Sequence, residues 1–206
     1  MDSIAPSGGP SQRHGASPAT GSGSQRAAGW GAVPVGTGLP PKLRCRAAST
    51  NQDEPEGIVS LQIRGARPQD LEVISLLEQD LYTNPWRPDT FRSLLDRDQA
   101  RVLVAEDPGD GVVGYAVYWW VMDQAELANL AVDRGHQGNG VGKTLLDRVL
   151  EEARNRGVRR MVLEVRWSNE PAYRLYSGRG FSQISVRRGY YRNPEEDARI
   201  LALDLV

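Results

Sequence analysis

A glycine-rich segment at residues 137–142, Gln-Gly-Asn-Gly-Val-Gly, joins a strand-like apolar run at 127–132 to a helix-like run that continues to Ala153. Glycines at such a junction let backbone N–H groups come close to a bound anion. The start of the helix adds a partial positive charge, so a phosphate or pyrophosphate is the natural ligand. The segment therefore predicts a phosphate-binding turn between a strand and a helix.

The spacing of this loop excludes two other phosphate-binding motifs. A dinucleotide fingerprint reads G-x-G-x-x-G, and Lys143 stands where its third glycine would be. A Walker A loop reads G-x-x-x-x-G-K-[ST]. Gly142, Lys143 and Thr144 supply its end, but Gln137 replaces its first glycine. The pattern that is left is Q-x-x-G-x-G, for which an ordinary glycine-rich turn stays the alternative.

Composition narrows the range of partners. The net charge of −1 over 206 residues implies no general attraction to nucleic acid or to an anionic membrane. The single cysteine, Cys45, excludes an internal disulfide and a cysteine-rich metal site. His14 and His136 lie far apart in sequence, so we expect no metal centre. No apolar run approaches the ~18 residues of a membrane span.

Residues 1–57 differ in composition from residues 58–206, and we expect two regions. The first region is rich in Gly, Ser, Ala and Pro, and it has no acidic residue between Ser3 and Gln52. Such a segment buries too little apolar surface to offset its ordering entropy, so the sequence predicts a disordered tail. A basic, Ser-rich and acid-poor tail also fits an organellar transit peptide, with a plastid as one destination. A dispensable tail or a misassigned start codon is the alternative, and it implies a cytoplasmic protein.

The second region alternates between strand and helix periods. Pro68 and Pro88 precede or open helical runs, and Gly157 is positioned to end the long helix that follows the loop. The predicted elements are strand 61–64, helices 71–81 and 88–95, strands 101–106, 112–121 and 124–132, helix 141–153, strand 160–166, helix 169–177, and strands 181–186 and 200–205. The sequence thus predicts a mixed α/β domain of order β-α-α-β-β-β-α-β-α-β-β.

Several short segments accompany the Q-x-x-G-x-G loop in this sequence. They are Asn84-Pro85-Trp86 with Phe91, Ala128-Asn129-Leu130-Ala131-Val132, Leu163-Glu164-Val165-Arg166, Ser168-Asn169 with Ala172, Leu175 and Tyr176, Gly180-Phe181, and Arg187-Arg188-Gly189-Tyr190-Tyr191. With the element order, they resemble the GCN5-related N-acetyltransferase (GNAT) superfamily. Within it, the resemblance is closest to the bacterial ribosomal-protein-alanine N-acetyltransferases. It runs from Leu61 to the C-terminus.

This resemblance implies a GNAT fold and transfer of acetyl from acetyl-CoA to the α-amine of an N-terminal alanine on a small-subunit ribosomal protein. Such a transfer needs a neutral amine. At pH 7 roughly a tenth of α-amines (pKa about 8) are neutral, against about one lysine in a few thousand. A modest base therefore suffices for an N-terminal substrate, which would attack directly in a ternary complex.

Glu164 is the candidate base. The alternation of strand 160–166 predicts its side chain on the face opposite to the buried apolar residues, where partial burial would raise the pKa of a carboxylate into a useful range. From the pattern alone, a salt bridge to Arg166 or Arg188, or an exposed face, is favoured. The resemblance assigns Glu164 as the base, acting directly or through water.

Tyr176 is the candidate acid. By spacing alone it is a core tyrosine, but the resemblance places at this position the phenol that protonates the leaving thiolate. Asn169 is predicted to cap the short helix, and the resemblance adds a bond to the cofactor.

The remaining site residues follow from the same resemblance. The cofactor-binding set comprises the strand residues Leu130, Ala131 and Val132, the loop residues Gln137, Gly138, Asn139, Gly140, Val141 and Gly142, the helix residues Lys143 and Thr144, and Asn169 and Tyr176. Trp86, Tyr190 and Tyr191 are candidates for the peptide site, with core packing as the alternative for each. Other functions stay open: acetylation of lysine or of a small amine, or a non-catalytic CoA-binding regulator.

Overall fold

The structure, a computed structural model, describes residues 61–205 as one seven-stranded sheet with α-helices on both faces. The sheet order is β1-β2-β3-β4-β5-β7-β6. The strands are β1 (Gln62–Gly65), β2 (Ala100–Asp107), β3 (Gly111–Val121), β4 (Gln124–Val132), β5 (Arg160–Arg166), β6 (Ser182–Tyr191) and β7 (Glu196–Asp204), and the helices are α1 (Leu71–Leu81), α2 (Pro88–Leu95), α3 (Val141–Asn155) and α4 (Glu170–Ser177). The predicted order is confirmed. The predicted tail and its boundary at residue 57 lie outside the described residues.

Two hydrophobic clusters lie on opposite faces of the sheet. On the α1/α2 face, Ile74 and Phe91 pack against Val104 and Val117. On the α3/α4 face, the apolar stripe of α3 packs against the other side of the same strands; it comprises Leu145, Leu146, Val149, Leu150 and Ala153. Alternate residues of each central strand therefore contribute to both cores, as the period of a strand requires.

Strand β4 separates from β5 halfway along its length. The two strands pair in parallel only from Gln124 to Leu127, whereas β4 continues its antiparallel pairing with β3 as far as Val132. At the same place the β3–β4 register shifts, so that Ala128 is an extra residue of β4. Such a bulge bends the strand and increases its twist. The outer half of β4 therefore leaves a backbone edge open toward β5.

The helices beside this opening lie within two residues of their predicted bounds: α3 ends at Asn155 and not at residue 153, and α4 begins at Glu170 and not at residue 169. Gly140 caps α3 at φ 85°, a left-handed conformation that favours glycine. Gly157, at φ 80°, follows the C-cap of the same helix. The Asn169 side chain accepts a hydrogen bond from the Ala172 N–H (3.2 Å) and so caps α4, which confirms the predicted cap.

The last hairpin is longer than predicted. The sequence indicated strands at 181–186 and 200–205, but β6 extends to Tyr191 and β7 begins at Glu196. The side chains of β6 are mostly exposed, so this strand carries no apolar alternation that would reveal its length, and its pairing with β7 defines it. Across residues 61–205, no helix is long and apolar enough to cross a bilayer.

Candidate active site

The open edge of β4 presents backbone groups toward β5. The Asp133 N–H bonds to Val113 O on the β3 side, so alternation along the ladder directs the backbone groups of Leu130 and Val132 to the opposite side. Side chains accordingly contact these two carbonyls: the Tyr82 hydroxyl lies 3.1 Å from Leu130 O, and Gln137 donates to Val132 O (2.9 Å). The N–H groups of Leu130 and Val132 therefore point into the opening, while Ala131 bonds toward β3.

The glycine loop lies at the end of this edge, with open space in front of it. Gly138 and Gly140 have φ of 81° and 85°, and a Cβ at either position would meet nothing within 4 Å. The backbone conformation favours glycine there, and the space in front of it is free. The first N–H groups of α3 have no partner within the helix by geometry, so they point at this space with the positive end of the helix dipole.

A cavity of about 280 Å³ adjoins the loop. It is lined by Val132, Gln137, Gly138, Gly140, Gly142, Lys143, Pro171, Ala172 and Leu175. A Cβ at Gly142 would lie 3.5 Å from Leu175 on α4, which is an ordinary van der Waals contact. Six of the thirteen predicted cofactor residues thus surround one cavity; Pro171, Ala172 and Leu175 were not predicted to line it.

Two predicted loop side chains have internal partners. Gln137 ties the loop to the end of β4 through Val132 O, and the Thr144 hydroxyl donates to the Gly140 carbonyl (3.1 Å). Their side chains hold the loop in shape, which leaves backbone N–H groups and Lys143 to face the cavity. Asn139 and Val141 complete the turn, with Asn139 exposed and Val141 buried.

Glu164 lies on the α1/α2 face of β5. Met161, Leu163 and Val165 are buried on the α3/α4 face, which confirms the predicted alternation. The Glu164 carboxylate forms an ion pair with Arg187 and not with Arg166 or Arg188. Those two arginines pair instead with Glu196 and Asp197 on β7, so the partner that the pattern suggested was wrong.

Tyr190 lies beside this ion pair. Burial raises the pKa of the Tyr190 phenol, and a hydrogen bond to Glu164 raises it further. The charge of Glu126, from the neighbouring strand β4, also raises this pKa, and the Arg187 guanidinium lies 5.4 Å from the Tyr190 ring centroid. Glu164 therefore lies within a cluster of polar side chains on the α1/α2 side of the opening.

Tyr176 approaches the opening from the other face. It is a buried residue of α4 whose ring packs edge-on against Phe181 (5.8 Å between centroids). Burial raises the pKa of Tyr82 well above its usual value, with further contributions from Glu78, Tyr176 and Tyr191. Tyr176 and Tyr191 therefore lie near enough to Tyr82 to affect its ionisation, and the Tyr82 hydroxyl contacts the Leu130 carbonyl.

The two other peptide-site candidates are buried. Trp86 is 7% exposed and packs against Phe91 and Trp119, with ring centroids 5.5 and 6.3 Å away. Tyr191 is 5% exposed, and the Arg166 guanidinium lies 4.1 Å from its ring centroid. Their positions match the core-packing alternative because both rings contribute to the wall behind the opening and not to its surface.

A buried polar network lies under the opening, and sequence reasoning missed it. Glu78 of α1 accepts hydrogen bonds from the Tyr115 hydroxyl, from Asn129 Nδ2 and from the Trp86 N–H (3.1 Å). Burial raises the pKa of Glu78 to about 7, although the hydrogen bonds from these donors lower it. One sequence feature could have indicated the network: Glu78 is a carboxylate on the same buried face of an amphipathic helix as Leu71, Ile74 and Leu77.

His136 is occupied by carboxylates outside the opening. Its Nδ1 lies 2.8 Å from Asp133 and its Nε2 lies 3.1 Å from Asp110, and these contacts raise its pKa. Within residues 61–205, no group of three or more His, Cys, Asp or Glu side chains is arranged to hold a metal ion.

Known proteins resemble the chain in sequence. Residues 71–181 match the family model described as Acetyltransferase (GNAT) family. The ribosomal protein bS18-alanine N-acetyltransferase of Escherichia coli strain K12 is 37% identical over 139 residues, which are 66% of this chain and 92% of that protein. The enzyme of the same name from Haemophilus ducreyi is 36% identical over 141 residues, 66% of this chain and 95% of that protein.

Solved structures of acetyltransferases also resemble the chain in fold. The crystal structure of the ribosomal-protein-S18-alanine N-acetyltransferase from Escherichia coli superposes with a TM-score of 0.66 at 34% identity, covering 71% of this chain and 94% of that one. The structure of yncA from Salmonella typhimurium, determined with acetyl-CoA, gives 0.59 at 25% identity over 71% and 95% of the two chains. The chain therefore belongs to the GNAT family of acetyltransferases.

Proposed function

We propose that this protein transfers the acetyl group of acetyl-CoA to the N-terminal α-amine of a protein, with the N-terminal alanine of ribosomal protein bS18 as its substrate. Support for the substrate comes from the Escherichia coli and Haemophilus ducreyi enzymes, which carry that activity in their names and match over two thirds of this chain. We further propose that it acts in the cytoplasm, where ribosomal proteins meet it; a role of residues 1–57 in import to an organelle is the alternative.

One observation carries the proposal: two candidate proton-transfer groups lie on opposite faces of the sheet at the opening between β4 and β5. Glu164 is on the α1/α2 face, and Tyr176 on α4 belongs to the α3/α4 core, as does the cavity at the glycine loop. An amine that enters from the first face and a thioester that enters from the second would meet at the opening.

The cofactor-binding role goes to the groups that line the cavity and the open edge. Acetyl-CoA supplies the thioester and its pyrophosphate. Backbone N–H groups of the loop and the first turn of α3 would bind the pyrophosphate, assisted by Lys143. The N–H groups of Leu130 and Val132 would bond the pantetheine arm, and an N–H at Leu130 would stabilise negative charge on the thioester oxygen. Asn169 would add a contact from the start of α4.

Two side chains would move the protons. The Glu164 carboxylate accepts the proton of the substrate ammonium, so that the neutral nitrogen attacks the thioester carbonyl. As the C–S bond breaks, the Tyr176 hydroxyl donates its proton to the departing thiolate. The new amide nitrogen then releases its remaining excess proton, which restores the phenol, and Glu164 returns its proton to solvent. Tyr190, bonded to Glu164, would contact the first residue of the peptide, whereas Trp86 and Tyr191 would support the wall behind it. The proposal includes no metal, because both proton transfers use side chains of this chain.

A peptide panel tests the proposal. The protein is incubated with acetyl-CoA and peptides that begin with Ala, Ser or Met, each with and without an internal lysine, and with the N-terminal sequence of bS18. Mass spectrometry then locates the acetyl group. We expect acetylation of the α-amine of Ala-starting peptides, with the highest kcat/KM for the bS18 sequence. Acetylation of lysine alone would replace the proposal by a side-chain acetyltransferase, and binding of acetyl-CoA without turnover would indicate a regulator.

A further inference from the structure

The buried network around Glu78 has no role in the proton transfers proposed above. Glu78 is fully buried on α1, yet it lies within the apolar α1/α2 core. A buried carboxylate is costly unless its oxygens accept hydrogen bonds. Here Oε1 accepts from Tyr115 and Asn129, and Oε2 accepts from the Trp86 N–H. An apolar side chain would need none of these partners, so stability alone does not explain the residue.

Asn129 connects this network to the active-site strand. It is the first β4 residue after the bulge at Ala128, and it lies just beyond the last β4–β5 pair at Leu127. The Asn129 side chain lies on the α1/α2 face. The preceding residue, Ala128, packs in the hydrophobic cluster on the same face, although consecutive strand residues normally point to opposite faces. The bulge therefore turns two consecutive side chains toward α1, as bulges do when they redirect a strand.

Glu78 fixes the orientation of the Asn129 amide. Above its pKa of about 7 the carboxylate is ionised and can only accept, so Asn129 must direct Nδ2 toward it, and Nδ2 also lies 3.1 Å from the Tyr115 hydroxyl. The Asn129 oxygen then faces Tyr82, whose hydroxyl donates to it. The same hydroxyl lies 3.1 Å from Leu130 O at the open edge of β4. The Glu78 carboxylate thus determines which groups donate and which accept in the series of hydrogen bonds that leads through Asn129 and Tyr82 to the opening.

We infer that Glu78 is a positioning residue for acetyl transfer: through Asn129 it holds the Tyr82 hydroxyl and the bulged segment of β4 in place at the opening between β4 and β5. This inference rests on the proposed function, because it assigns acetyl transfer to that opening. The Tyr82 hydroxyl contacts Leu130 O there, so a shift of the network displaces the edge of β4 that the proposed function assigns to the thioester.

The central variant is Glu78→Gln. It retains the side-chain volume but places an NH₂ group where the wild type has only acceptors, and either orientation of this amide opposes a donor. We expect kcat to fall by about 10-fold or more, because small misplacements at a reacting centre are costly. KM and Kd for acetyl-CoA should stay within about twofold, since the glycine loop lies on the other face of the sheet. Tyr82→Phe should lower kcat similarly, and the double variant should be no worse than either single variant.

Exchanging the carboxylate and the amide between positions 78 and 129 should restore the activity that Glu78→Gln loses. In Glu78→Gln with Asn129→Asp, the Gln NH₂ can donate to the Asp carboxylate while its oxygen accepts from the Trp86 N–H. The second Asp oxygen still accepts from the Tyr82 hydroxyl. We expect this pair to recover most of the lost kcat, although the charge has moved from α1 to β4.

Ser75→Ala is the matched control. Ser75 lies one turn earlier on α1, is buried, and donates to Leu71 O (2.7 Å) without contacting the network. It should lower Tm but leave kcat unchanged, when every variant is assayed well below its own Tm. The inference is overturned by a Glu78→Gln enzyme within twofold of wild-type kcat, by additive losses with Tyr82→Phe, or by a folded exchange variant that recovers nothing. If the wild type modifies lysine and not the α-amine, the proposed function fails, and the same variants test the inference on the lysine peptide.

Discussion

Glu164 on β5 and Arg187 on β6 form an ion pair although β7 lies between their strands in the sheet. Their backbone partners on β7 are Ile200 and Ala198, so the arginine side chain reaches across the intervening strand. The Glu164 side chain is 15% exposed, but that of Arg187 is 50% exposed. The cation at the candidate base is thus the more exposed partner, and a substrate ammonium can compete with it for the same carboxylate.

Replacing the candidate base tests this arrangement. Glu164→Gln keeps the side-chain shape and should lower kcat on an Ala-starting peptide by roughly 100-fold or more at pH 6.5. The loss should shrink above pH 8, because the amine then loses its proton to solvent. The measurement is kcat against pH for both enzymes. Wild-type rates at pH 6.5 would remove Glu164 from the mechanism.

Glu106→Gln is the control for that variant. Glu106 is also a strand carboxylate paired with an arginine, Arg64 (2.6 Å), but it lies on β2 near the far edge of the sheet. It should leave kcat unchanged at every pH.

Tyr176→Phe tests the acid. The ring and its contact with Phe181 are retained, so the fold and the Kd for acetyl-CoA should be nearly unchanged. Since the departing thiolate loses its proton donor, kcat should fall by roughly 10- to 100-fold at every pH below the phenol pKa, without the recovery at high pH that Glu164→Gln shows. A defect confined to KM for acetyl-CoA would make Tyr176 a binding residue instead.

The sequence was sufficient for the order of the elements and for the side of the strand on which Glu164 lies. Both depend on local periodicity, and the helix ends at Gly157 and Asn169 depend on local capping residues. The Glu78 network was not predictable in this way, because its members come from α1, β3 and β4, and Asn129 is 51 residues from Glu78. Arg187 was missed as the partner of Glu164 for a related reason: the predicted β6 ended at residue 186, before the strand that carries it was complete.

Charge at the glycine loop should control cofactor affinity. Gly140→Asp places a carboxylate where the loop is open and should weaken acetyl-CoA binding strongly, measured by calorimetry. Gly140→Asn is the matched control, since Asn has the same shape and tolerates the left-handed conformation that Gly140 adopts at φ 85°. It should bind much more tightly than the Asp variant. Equal affinities would show that backbone strain, and not repulsion of a phosphate, explains the loss.

Removing residues 1–57 tests the domain boundary predicted from composition. We expect the remaining domain to keep the Tm and kcat of the full chain, because the segment is too poor in apolar residues to contribute to the core. A fall of several degrees in Tm would contradict this boundary. A fusion of residues 1–57 to a fluorescent protein, imaged in plant cells, addresses the alternative of organelle import; uniform cytoplasmic fluorescence would argue against it.

Glu78 should make the protein less stable as pH rises toward neutrality. Its folded pKa of about 7 lies above the ordinary value of 4.5, so the folded state binds more protons than the unfolded state between these values. Its contribution to the free energy of unfolding is complete below pH 4.5 and is lost as pH rises through about 7, by up to about 3 kcal/mol. Asp70, Glu196 and Asp197 have lowered pKa values, so their contributions are lost only on acidification below the ordinary carboxylate range.

The measurement is urea unfolding between pH 5 and 8 for the wild type and Glu78→Gln. His136 has a raised pKa, so its contribution is also lost as pH rises through its folded pKa, with the same sign as that of Glu78. Only the difference between the two proteins therefore reports Glu78. We expect the wild type to lose more free energy of unfolding than Glu78→Gln across this range. Parallel curves would mean that the buried carboxylate keeps an ordinary pKa, and that the hydrogen bonds from Tyr115, Asn129 and Trp86 outweigh its burial.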